Sequence, residues 1–397
     1  MIEQQTFSTP MSESEPSCSP KGDGHQITVR ALLGLPKGAS AEHPVPVVLH
    51  IHGGGQTASA ENVEFFCSLG LACMSFDWTG LKDDRNPDEV TRYPKWMESM
   101  RQQPALDRVR DNGLASLPQY QGIGIARACL DRLTADARVR SDRIGVYGIS
   151  WGGLMTWIVN GTDARVRCAV PVYGVGGVRE RDMPFVESWN GIPTEVRHTW
   201  TTTMEPLAYA SRQHGAVLVV GATNDFFGSP ETIARVTSLL PVTYRADYSP
   251  NLDHAFDASA ARGVVAFLRH YLADGPPLPA SPSIVAQREP RGIMITSDRD
   301  GRRRSLWYAS GSGPATQRHW RRVDMDNAAN DTTAACVTAD VRTPVFCFVR
   351  ATDADNATLC SDILYVPRPE ELGGEHRPGH GTEIIHAFAS EQESRHD

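Results

Sequence analysis

The sequence lacks the patterns that mark several common classes of protein. Its eight cysteines are scattered and form no Cys-x-x-Cys pair, so neither a zinc site nor a redox pair is expected. No run of apolar residues is long enough to cross a membrane. Basic residues are not in excess, because the formal net charge is -8, and nothing in their arrangement indicates a nucleic-acid partner.

The N-terminal segment also lacks the marks of a secretory leader. Residues 1–24 are polar, with neither a basic start nor an apolar run. This composition predicts a disordered arm. It also predicts a cytoplasmic protein, with a secreted or periplasmic location as the alternative if a leader is missing from the sequence. The acidic segment 368–397 is predicted to be disordered as well.

The chain is long enough for a large core, with 397 residues of which 40% are hydrophobic. A proline-rich linker at 276–283 separates two regions of different pattern. Residues 25–275 alternate buried-type strands with helices, which predicts a mostly parallel α/β sheet, with a lid or insertion at about 174–213. Residues 284–367 contain short strands between turns, which is typical of a small β-sandwich.

One serine lies at a turn between a predicted strand and a predicted helix. The turn reads Gly148-Ile-Ser-Trp-Gly152, a Gly-x-Ser-x-Gly pattern. A serine on such a turn has a strained backbone and an exposed hydroxyl, and the flanking glycines let neighbouring backbone approach. The pattern alone is weak, since an ordinary turn serine is the alternative. Its position between strand and helix favours Ser150 as a nucleophile.

A glycine-rich loop follows an earlier buried strand. The chain runs His50-Ile-His-Gly-Gly-Gly55 after the strand that begins at Val45. Three glycines cost backbone entropy, and an oxyanion hole explains them, because unhindered backbone N–H groups stabilise a developing negative charge. The predicted donors are backbone N–H groups of this loop. A merely flexible loop is the alternative.

An acid and a histidine follow two later strands. Asp225 lies just after a buried strand, and His254 lies between the last strand of the sheet and a helix. The chain order Ser150, Asp225, His254 is the nucleophile, acid and base order of this architecture. Asp253 and Asp257 are nearby rivals for the acid.

Aromatic residues near these positions are candidates for a substrate pocket. Trp78 follows the strand that ends at Phe76, Trp189 lies in the lid, and Phe226 follows the acid. Each also has a packing role as its alternative. Farther along, Cys347 and Cys360 flank a predicted hairpin turn, so a disulfide between them is one possibility.

With these motifs in view, residues 25–275 resemble the α/β-hydrolase superfamily. Within it they are similar to acetyl xylan esterases, dienelactone hydrolases and the catalytic domains of prolyl-oligopeptidase-like enzymes. The resemblance also rests on Leu49-His-Ile-His-Gly-Gly-Gly-Gln56 and Ser75-Phe-Asp-Trp-Thr-Gly80. The resemblance implies Ser150 as the nucleophile, His254 as the base and Asp225 as the orienting acid. It also implies an oxyanion hole formed by the backbone N–H groups of Gly53, Gly54 and Trp151. No propeller repeat precedes residue 25, so a full prolyl oligopeptidase is not expected.

These features predict a serine hydrolase that cleaves carboxylic esters through an acyl-enzyme. An acetylated carbohydrate or another small uncharged ester is the expected substrate, since the chain before Pro369 is nearly neutral. A serine peptidase or amidase of the prolyl-oligopeptidase-like type is one alternative. A non-catalytic carbohydrate-binding protein acting through its C-terminal β domain is the other. No cofactor, metal, nucleic acid or membrane partner is expected, and the oligomeric state is left open.

Overall fold

The structure is a computed structural model that describes residues 2–12, 26–82, 84–176, 192–289, 292–311, 313–328, 331–337 and 343–367. The α-helices of these residues are α1 (Ala60–Ser68), α2 (Lys95–Ser99), α3 (Ala105–Asn112), α4 (Pro118–Ala135), α5 (Trp151–Thr162), α6 (Thr194–Thr203), α7 (Pro230–Thr237) and α8 (Ala258–Leu272). Short 3-10 helices lie at Leu114–Ser116, Pro206–Arg212 and Ala315–Gln317.

The strands divide into those before and those after the proline-rich linker. The earlier ones are β1 (Ile2–Pro10), β2 (Gln26–Gly34), β3 (Val45–Ile51), β4 (Ala72–Phe76), β5 (Val139–Ile149), β6 (Val166–Val172), β7 (Ala216–Ala222) and β8 (Tyr244–Ser249). The later ones are β9 (Val285–Glu289), β10 (Gly292–Asp298), β11 (Arg303–Ser310), β12 (Arg321–Asp324), β13 (Asp326–Asn327), β14 (Thr332–Val337), β15 (Val345–Thr352), β16 (Thr358–Cys360) and β17 (Leu364–Val366).

The chain forms two compact units. The first comprises Met1–Leu218, Leu240–Thr243 and Phe267–Pro276, and the second comprises Val219–Leu239, Tyr244–Ala266 and Pro277–Asp397. Ser150 therefore belongs to the first unit, whereas Asp225 and His254 belong to the second with the C-terminal residues. The predicted domain boundary at 276–283 stays a prediction, because the units are not contiguous in sequence.

The first unit contains a mostly parallel sheet. Its strands follow the order β1-β2-β4-β3-β5-β6. Strand β3 is parallel to β4 and to β5, and β5 is parallel to β6. Parallel neighbours need crossover connections, which α1 and α5 supply. The strands are apolar runs with both faces covered, so β4 is buried along its whole length. The predicted parallel sheet with flanking helices is confirmed.

The N-terminal segment corrects one prediction. Ile2–Pro10 forms β1, which pairs antiparallel with β2 from Ile2 opposite Gly34 to Pro10 opposite Gln26. Backbone hydrogen bonds to an edge strand need little apolar pattern, which is why the polar composition suggested disorder instead. Glu3 also forms an ion pair of 2.7 Å with Arg138. The rest of the predicted arm, from residue 13 to residue 24, lies outside the described residues, as does the predicted disordered tail 368–397.

The second unit contains the β-sandwich predicted for the C-terminal region. One sheet has the order β13-β14-β10-β9. The other side is formed by neighbouring strands in the order β8-β16-β15-β11-β12, with β17 pairing with β15. Apolar residues from both sheets share one core, among them Ile295, Val337, Leu306 and Val349. Two antiparallel sheets over a common core form a sandwich, and this part of the fold prediction is confirmed.

The two cysteines considered for a disulfide are free. Cys347 lies opposite Leu364 and Cys360 lies opposite Arg350 in the sheet register. Both thiols are buried, and neither forms a disulfide. Burial raises the pKa of Cys347 to about 12. The sequence suggested a simple hairpin, whereas the second strand is broken into β16 and β17, so the cysteines do not face each other.

The helices of the described residues include none that is long and apolar enough to span a membrane. The same residues include no group of three His, Cys, Asp or Glu side chains arranged to hold a metal ion.

Candidate active site

Ser150 occupies a strained turn between β5 and α5. Its backbone has φ 59° and ψ -119°, a region that non-glycine residues rarely adopt. The surrounding structure holds it there, because its N–H donates to the Val172 carbonyl (2.8 Å) and its carbonyl accepts the first helical bond from Leu154 N–H (3.0 Å). Strain of this kind persists only where neighbouring contacts enforce it. The predicted strand, turn and helix around this serine are confirmed.

The glycines around Ser150 are required by close backbone contacts. A Cβ on Gly148 would collide with the carbonyl of Gly152, and a Cβ on Gly152 would collide with the carbonyl of Ile51. A side chain at Gly153 would likewise meet the carbonyl of Val172. The glycine pattern thus reflects the packing of the turn against β3 and β6, and it holds the serine at the carboxyl end of the sheet.

The glycine-rich loop lies directly beside this turn. A Cβ on Gly53 would be 3.4 Å from the Ser150 Cβ, and a Cβ on Gly54 would be 2.7 Å from Cδ1 of Trp151. A side chain at Gly54 would therefore overlap the Trp151 ring, whereas one at Gly53 would make a close but tolerable contact. The N–H of Gly53 donates to the side-chain oxygen of Gln56 (2.9 Å). As an oxyanion donor, Gly53 would therefore have to exchange the Gln56 oxygen for the substrate oxygen.

An arginine from the polar excursion that follows β4, residues 81–110, holds the glycine-rich loop in place. Arg85 Nη2 donates to the carbonyls of Gly55 (2.6 Å) and Gln56 (2.7 Å). Its Nη1 donates to the Thr79 hydroxyl (2.6 Å) and lies 3.5 Å from Asp77 Oδ1. The guanidinium thus joins the loop after β3 to the loop after β4. Sequence reasoning did not identify this residue, because nothing in the local pattern distinguishes it from other polar residues of the excursion.

A buried histidine and a buried carboxylate lie at the start of the glycine-rich loop and at the end of β4. His52 and Asp77 are 1% and 0% exposed, and His52 Nε2 lies 3.5 Å from Asp77 Oδ1. Burial raises the pKa of Asp77, but hydrogen bonds from His52, Thr91 and Thr79 outweigh it, and the pKa is lowered overall. Asp77 therefore acts as a fixed anion that orders the loop after β4. The position of Asp77 directly after a strand was the sequence signal that could have identified it.

Trp78 lies in the core instead of at a pocket wall. The residue is 2% exposed, its ring stacks on His52 with 5.3 Å between centroids, and its Nε1–H donates to the His52 carbonyl (2.9 Å). The ring therefore fixes the start of the glycine-rich loop. The sequence placed Trp78 correctly at the strand end but could not show which way its side chain points.

In the second unit, Asp225 and His254 form a hydrogen-bonded pair. His254 Nδ1 lies 2.9 Å from Asp225 Oδ2, and Phe227 N–H donates to Asp225 Oδ1 (2.5 Å). Asp225 is 1% exposed, whereas the His254 side chain is 27% exposed. Burial raises the pKa of Asp225 against the opposing effect of His254. An ionised Asp225 places the proton on Nδ1 and leaves Nε2 as the basic nitrogen.

The geometry separates Asp225 from one of its rivals. The Asp257 carboxylate accepts the N–H groups of Ser259 and Ala260 at 3.0 Å each and so caps α8. It also pairs with Arg350 (2.8 Å). Asp253, the other rival, uses its backbone carbonyl to accept the Ala255 N–H. The Asp225 carboxylate, by contrast, is hydrogen-bonded to the His254 ring.

Of the remaining pocket candidates, one lies beside the histidine. The Phe226 ring centroid is 4.8 Å from that of His254 and tilted by 35°, and the residue is partly exposed. Trp189 lies outside the described residues. The described part of the insertion includes α6, whose Trp200 is buried and packs edge-on against Trp151 with 6.4 Å between centroids.

Comparison with known proteins gives one family match. Residues 126–274, which include Ser150, Asp225 and His254, match the prolyl oligopeptidase family. A curated protein of Bacillus subtilis (strain 168), named "Putative hydrolase YtaP", is 25% identical over 163 residues. That alignment covers 37% of this chain and 48% of the relative, so the chain spans about half the length of the curated relative that it matches.

Solved structures resemble the chain at low sequence identity. The acetyl xylan esterase from Paenibacillus sp. R4 aligns with a TM-score of 0.50 and 19% identity, over 68% of this chain and 90% of that chain. The dipeptidyl peptidase 4 of Porphyromonas gingivalis aligns at 0.48 and 15% identity, over 69% of this chain and 35% of that chain, too low a likeness to support an argument. At these identities the likeness to the esterase concerns the fold alone.

Proposed function

We propose that this chain, whose sheet and flanking helices have the α/β-hydrolase fold, is a serine carboxylic ester hydrolase. The proposed nucleophile is Ser150, the general base is His254, and Asp225 orients the base. The proposed substrate is an acetylated carbohydrate or another small uncharged ester. Fold alone does not assign an activity, so the proposal depends on the side chains and their geometry.

The backbone of Ser150 is the observation that carries the proposal. A serine held at φ 59° between a parallel strand and a helix has a conformation that costs free energy and serves no purpose in an ordinary turn. The hydrogen bond between His254 Nδ1 and Asp225 Oδ2 supports the same reading. When Asp225 is ionised, this bond places the imidazole proton on Nδ1, so Nε2 is the nitrogen that accepts a proton in catalysis.

The proposed reaction proceeds through an acyl-enzyme. As the Ser150 oxygen attacks the ester carbonyl, His254 Nε2 takes its proton, and Asp225 stabilises the imidazolium. His254 then protonates the leaving alcohol, and a water molecule repeats the sequence to release the acid. Backbone N–H groups of the Gly53–Gly54 loop and of Trp151 are the proposed donors to the oxyanion, at about 3 kcal/mol each.

The peptidase alternative stays open because of the family match. Residues 126–274 match a family named for oligopeptidases, and the same nucleophile and base can cleave an amide. Ester and amide substrates separate the two candidates. Under the esterase proposal, p-nitrophenyl acetate and acetylated xylo-oligosaccharides are hydrolysed, whereas aminoacyl-proline p-nitroanilides are not. The reverse preference would favour the peptidase.

The first test is covalent labelling with a fluorophosphonate probe, which requires an activated serine but not the natural substrate. We expect the parent protein to be labelled, and Ser150→Ala to lose labelling and more than about 1,000-fold of esterase activity. His254→Ala should show the same losses. Ser68→Ala, which removes an exposed hydroxyl bonded to the Phe65 carbonyl, is the matched control and should label normally.

A folded parent protein that is neither labelled nor active on esters or amides would refute the serine hydrolase assignment. Labelling that persists in Ser150→Ala would show that another nucleophile reacts with the probe. In either case the C-terminal β domain would become the candidate for a carbohydrate-binding role, which a sugar-binding assay on the full chain would examine.

A further inference from the structure

The C-terminal residues contact both loops that carry the proposed acid and base. The loop after β7 includes Asp225, and the loop after β8 includes His254. Both loops belong to the same compact unit as the residues from Pro277 onward. Their contacts with that C-terminal region are directional hydrogen bonds that are partly buried, so they fix positions as well as fill space.

The acid loop is held through Asn224, the residue before Asp225. Its side-chain nitrogen donates to the carbonyls of Arg318 (2.6 Å) and Ala315 (3.2 Å). Ala315 begins a short 3-10 helix of the C-terminal region, and Arg318 directly follows that helix. Its backbone N–H donates to the Leu252 carbonyl (3.0 Å) in the histidine loop. One asparagine therefore joins the acid loop both to the C-terminal region and to the histidine loop.

The histidine loop is held on one side through Asn251, three residues before His254. Its side-chain oxygen accepts the Trp320 N–H (2.8 Å), and its side-chain nitrogen donates to the Trp320 carbonyl (2.8 Å). This two-way pairing reproduces the hydrogen bonds between adjacent strands. Asn251 has φ 55°, a conformation that asparagine tolerates better than most residues.

The same loop is held on its other side through Asp257, three residues after His254. Its carboxylate accepts hydrogen bonds from Arg350 Nη2 at 2.8 and 3.0 Å. Arg350 lies on β15 and also donates to the Thr358 hydroxyl (3.0 Å) and lies 3.5 Å from Asp247. Arg350 is 9% exposed and Asp247 is fully buried, whereas the Asp257 side chain is 32% exposed. The guanidinium is therefore held in place from its buried side, and it reaches Asp257 at the edge of the solvent.

From these contacts we propose that the C-terminal β domain positions the proposed catalytic pair, with Asn251 and Arg350 as positioning residues that act through the His254 loop. In sequence, His254 lies midway between the anchored residues Asn251 and Asp257. Asn224 likewise ties the residue next to it, Asp225, to the C-terminal region. The 2.9 Å hydrogen bond between Asp225 and His254 then depends on residues outside the hydrolase sequence pattern. This assigns the domain a part in the reaction instead of an independent binding role.

The proposal rests on the proposed function, since positioning matters only if the pair acts in catalysis. A displacement of about 1 Å in a catalytic group can cost about 100-fold in rate, whereas substrate binding elsewhere is unaffected. A positioning role therefore predicts a loss in kcat with little change in KM. A merely structural role would lower the number of active molecules, and the kcat of each would stay the same.

The test uses the full chain with Asn251→Gly and Arg350→Met. Glycine keeps the left-handed backbone of residue 251 and removes the paired amide, so this variant is expected to fold. Arg322→Met is the matched control, because Arg322 lies on β12 of the same domain with a side chain that is 53% exposed. Fluorophosphonate titration counts active sites, so kcat is expressed per site, and proton NMR reports the His254 Nδ1 proton bonded to Asp225.

We expect kcat per site to fall about 10- to 100-fold in Asn251→Gly, with KM within about twofold, and the Nδ1 proton signal to broaden or shift. Arg350→Met should behave alike if it folds, and Asn251→Gly decides the question if it does not. Arg322→Met should match the parent. An unchanged kcat per site and an unchanged Nδ1 signal in Asn251→Gly would overturn the proposal.

The NMR readout also separates this proposal from the proposed function. If the parent protein is inactive and unlabelled, the serine hydrolase assignment fails by itself. The Nδ1 signal of the parent and of Asn251→Gly would then still report whether the C-terminal contacts hold the pair, and an unchanged signal would refute the positioning role.

Discussion

At the scale of single residues, steric exclusion decides what the turn around Ser150 can contain. The serine is held at positive φ, and the glycines beside it lie where a Cβ would overlap backbone carbonyls of α5 or of the neighbouring strands. Backbone carbonyls cannot move away as a flexible side chain can, because the sheet hydrogen bonds hold them. A substitution at these glycines is therefore a direct test of the turn.

Gly152→Ala is expected to destabilise the protein by about 3 kcal/mol, because the added methyl would overlap the Ile51 carbonyl of β3. Urea unfolding followed by circular dichroism measures the change. Gly313→Ala is the control, since a Cβ there meets open space, and its free energy of unfolding should stay within about 1 kcal/mol of the parent. Equal stability of the two variants would show that the turn has room for a side chain.

At the scale of elements, loops after strands are held by side chains from elsewhere in the chain. Arg85, in the excursion that follows β4, binds two carbonyls of the glycine-rich loop after β3. Glycines make that loop permissive, so an ordered oxyanion site needs an external restraint. Arg85 supplies this restraint, because its planar guanidinium donates hydrogen bonds in fixed directions to the two loop carbonyls. A lysine ammonium would reproduce this geometry only in part.

Arg85→Ala is therefore expected to lower kcat/KM for an aryl ester about tenfold or more, because the loop N–H groups lose their fixed direction. Fluorophosphonate labelling should slow in parallel. Arg92→Ala removes a guanidinium from the same excursion, where it pairs with Glu98 (2.9 Å) and is 44% exposed, and should leave kcat/KM unchanged. Equal rates in the two variants would show that the loop does not depend on Arg85.

At the scale of the whole molecule, carboxylates of two kinds determine how stability depends on pH. Burial raises the pKa of Asp300, but hydrogen bonds from Arg302 and Arg304 outweigh it and lower the pKa to about 2, from an ordinary value of 3.8. Asp225 and Asp247 have the opposite shift, because burial dominates and raises their pKa. A carboxylate of the first kind stabilises the folded state when it is ionised. A carboxyl group of the second kind stabilises it when protonated, so its contribution is lost as the pH rises.

For Asp300 the sign is definite. Its lowered folded pKa means that the unfolded chain takes up the proton first as the solution is acidified. The stabilisation is thus complete above about pH 4 and disappears as pH falls towards 2. Asp300→Asn should lower the free energy of unfolding by up to about 1 kcal/mol at pH 6 and by nothing near pH 2.

Chemical unfolding at several pH values measures this dependence. Asp355→Asn, which changes an exposed carboxylate of the same region, is the control and should follow the parent. A difference for Asp300→Asn that is the same at pH 6 and pH 2 would contradict an ionic origin.

The sequence by itself determined the parts of this protein that depend on local patterns. Apolar runs and glycine spacing predicted β3 and the turn around Ser150, because burial period and backbone sterics are encoded within a few residues. The order of serine, acid and histidine identified Asp225 and His254 as candidates. Only the tertiary structure joined these two by a hydrogen bond, because that choice depends on how two loops fold back on each other.

Tertiary contacts also decided features that the sequence either did not indicate or indicated wrongly. The polar N-terminal residues became β1 because an available edge strand supplied hydrogen bonds, and Trp78 turned inward onto His52. The contacts of Arg85 and Arg350 join residues that are far apart in sequence. No local pattern marks such residues, since their effect depends on distance in space, and distance in space is set by the packed fold as a whole.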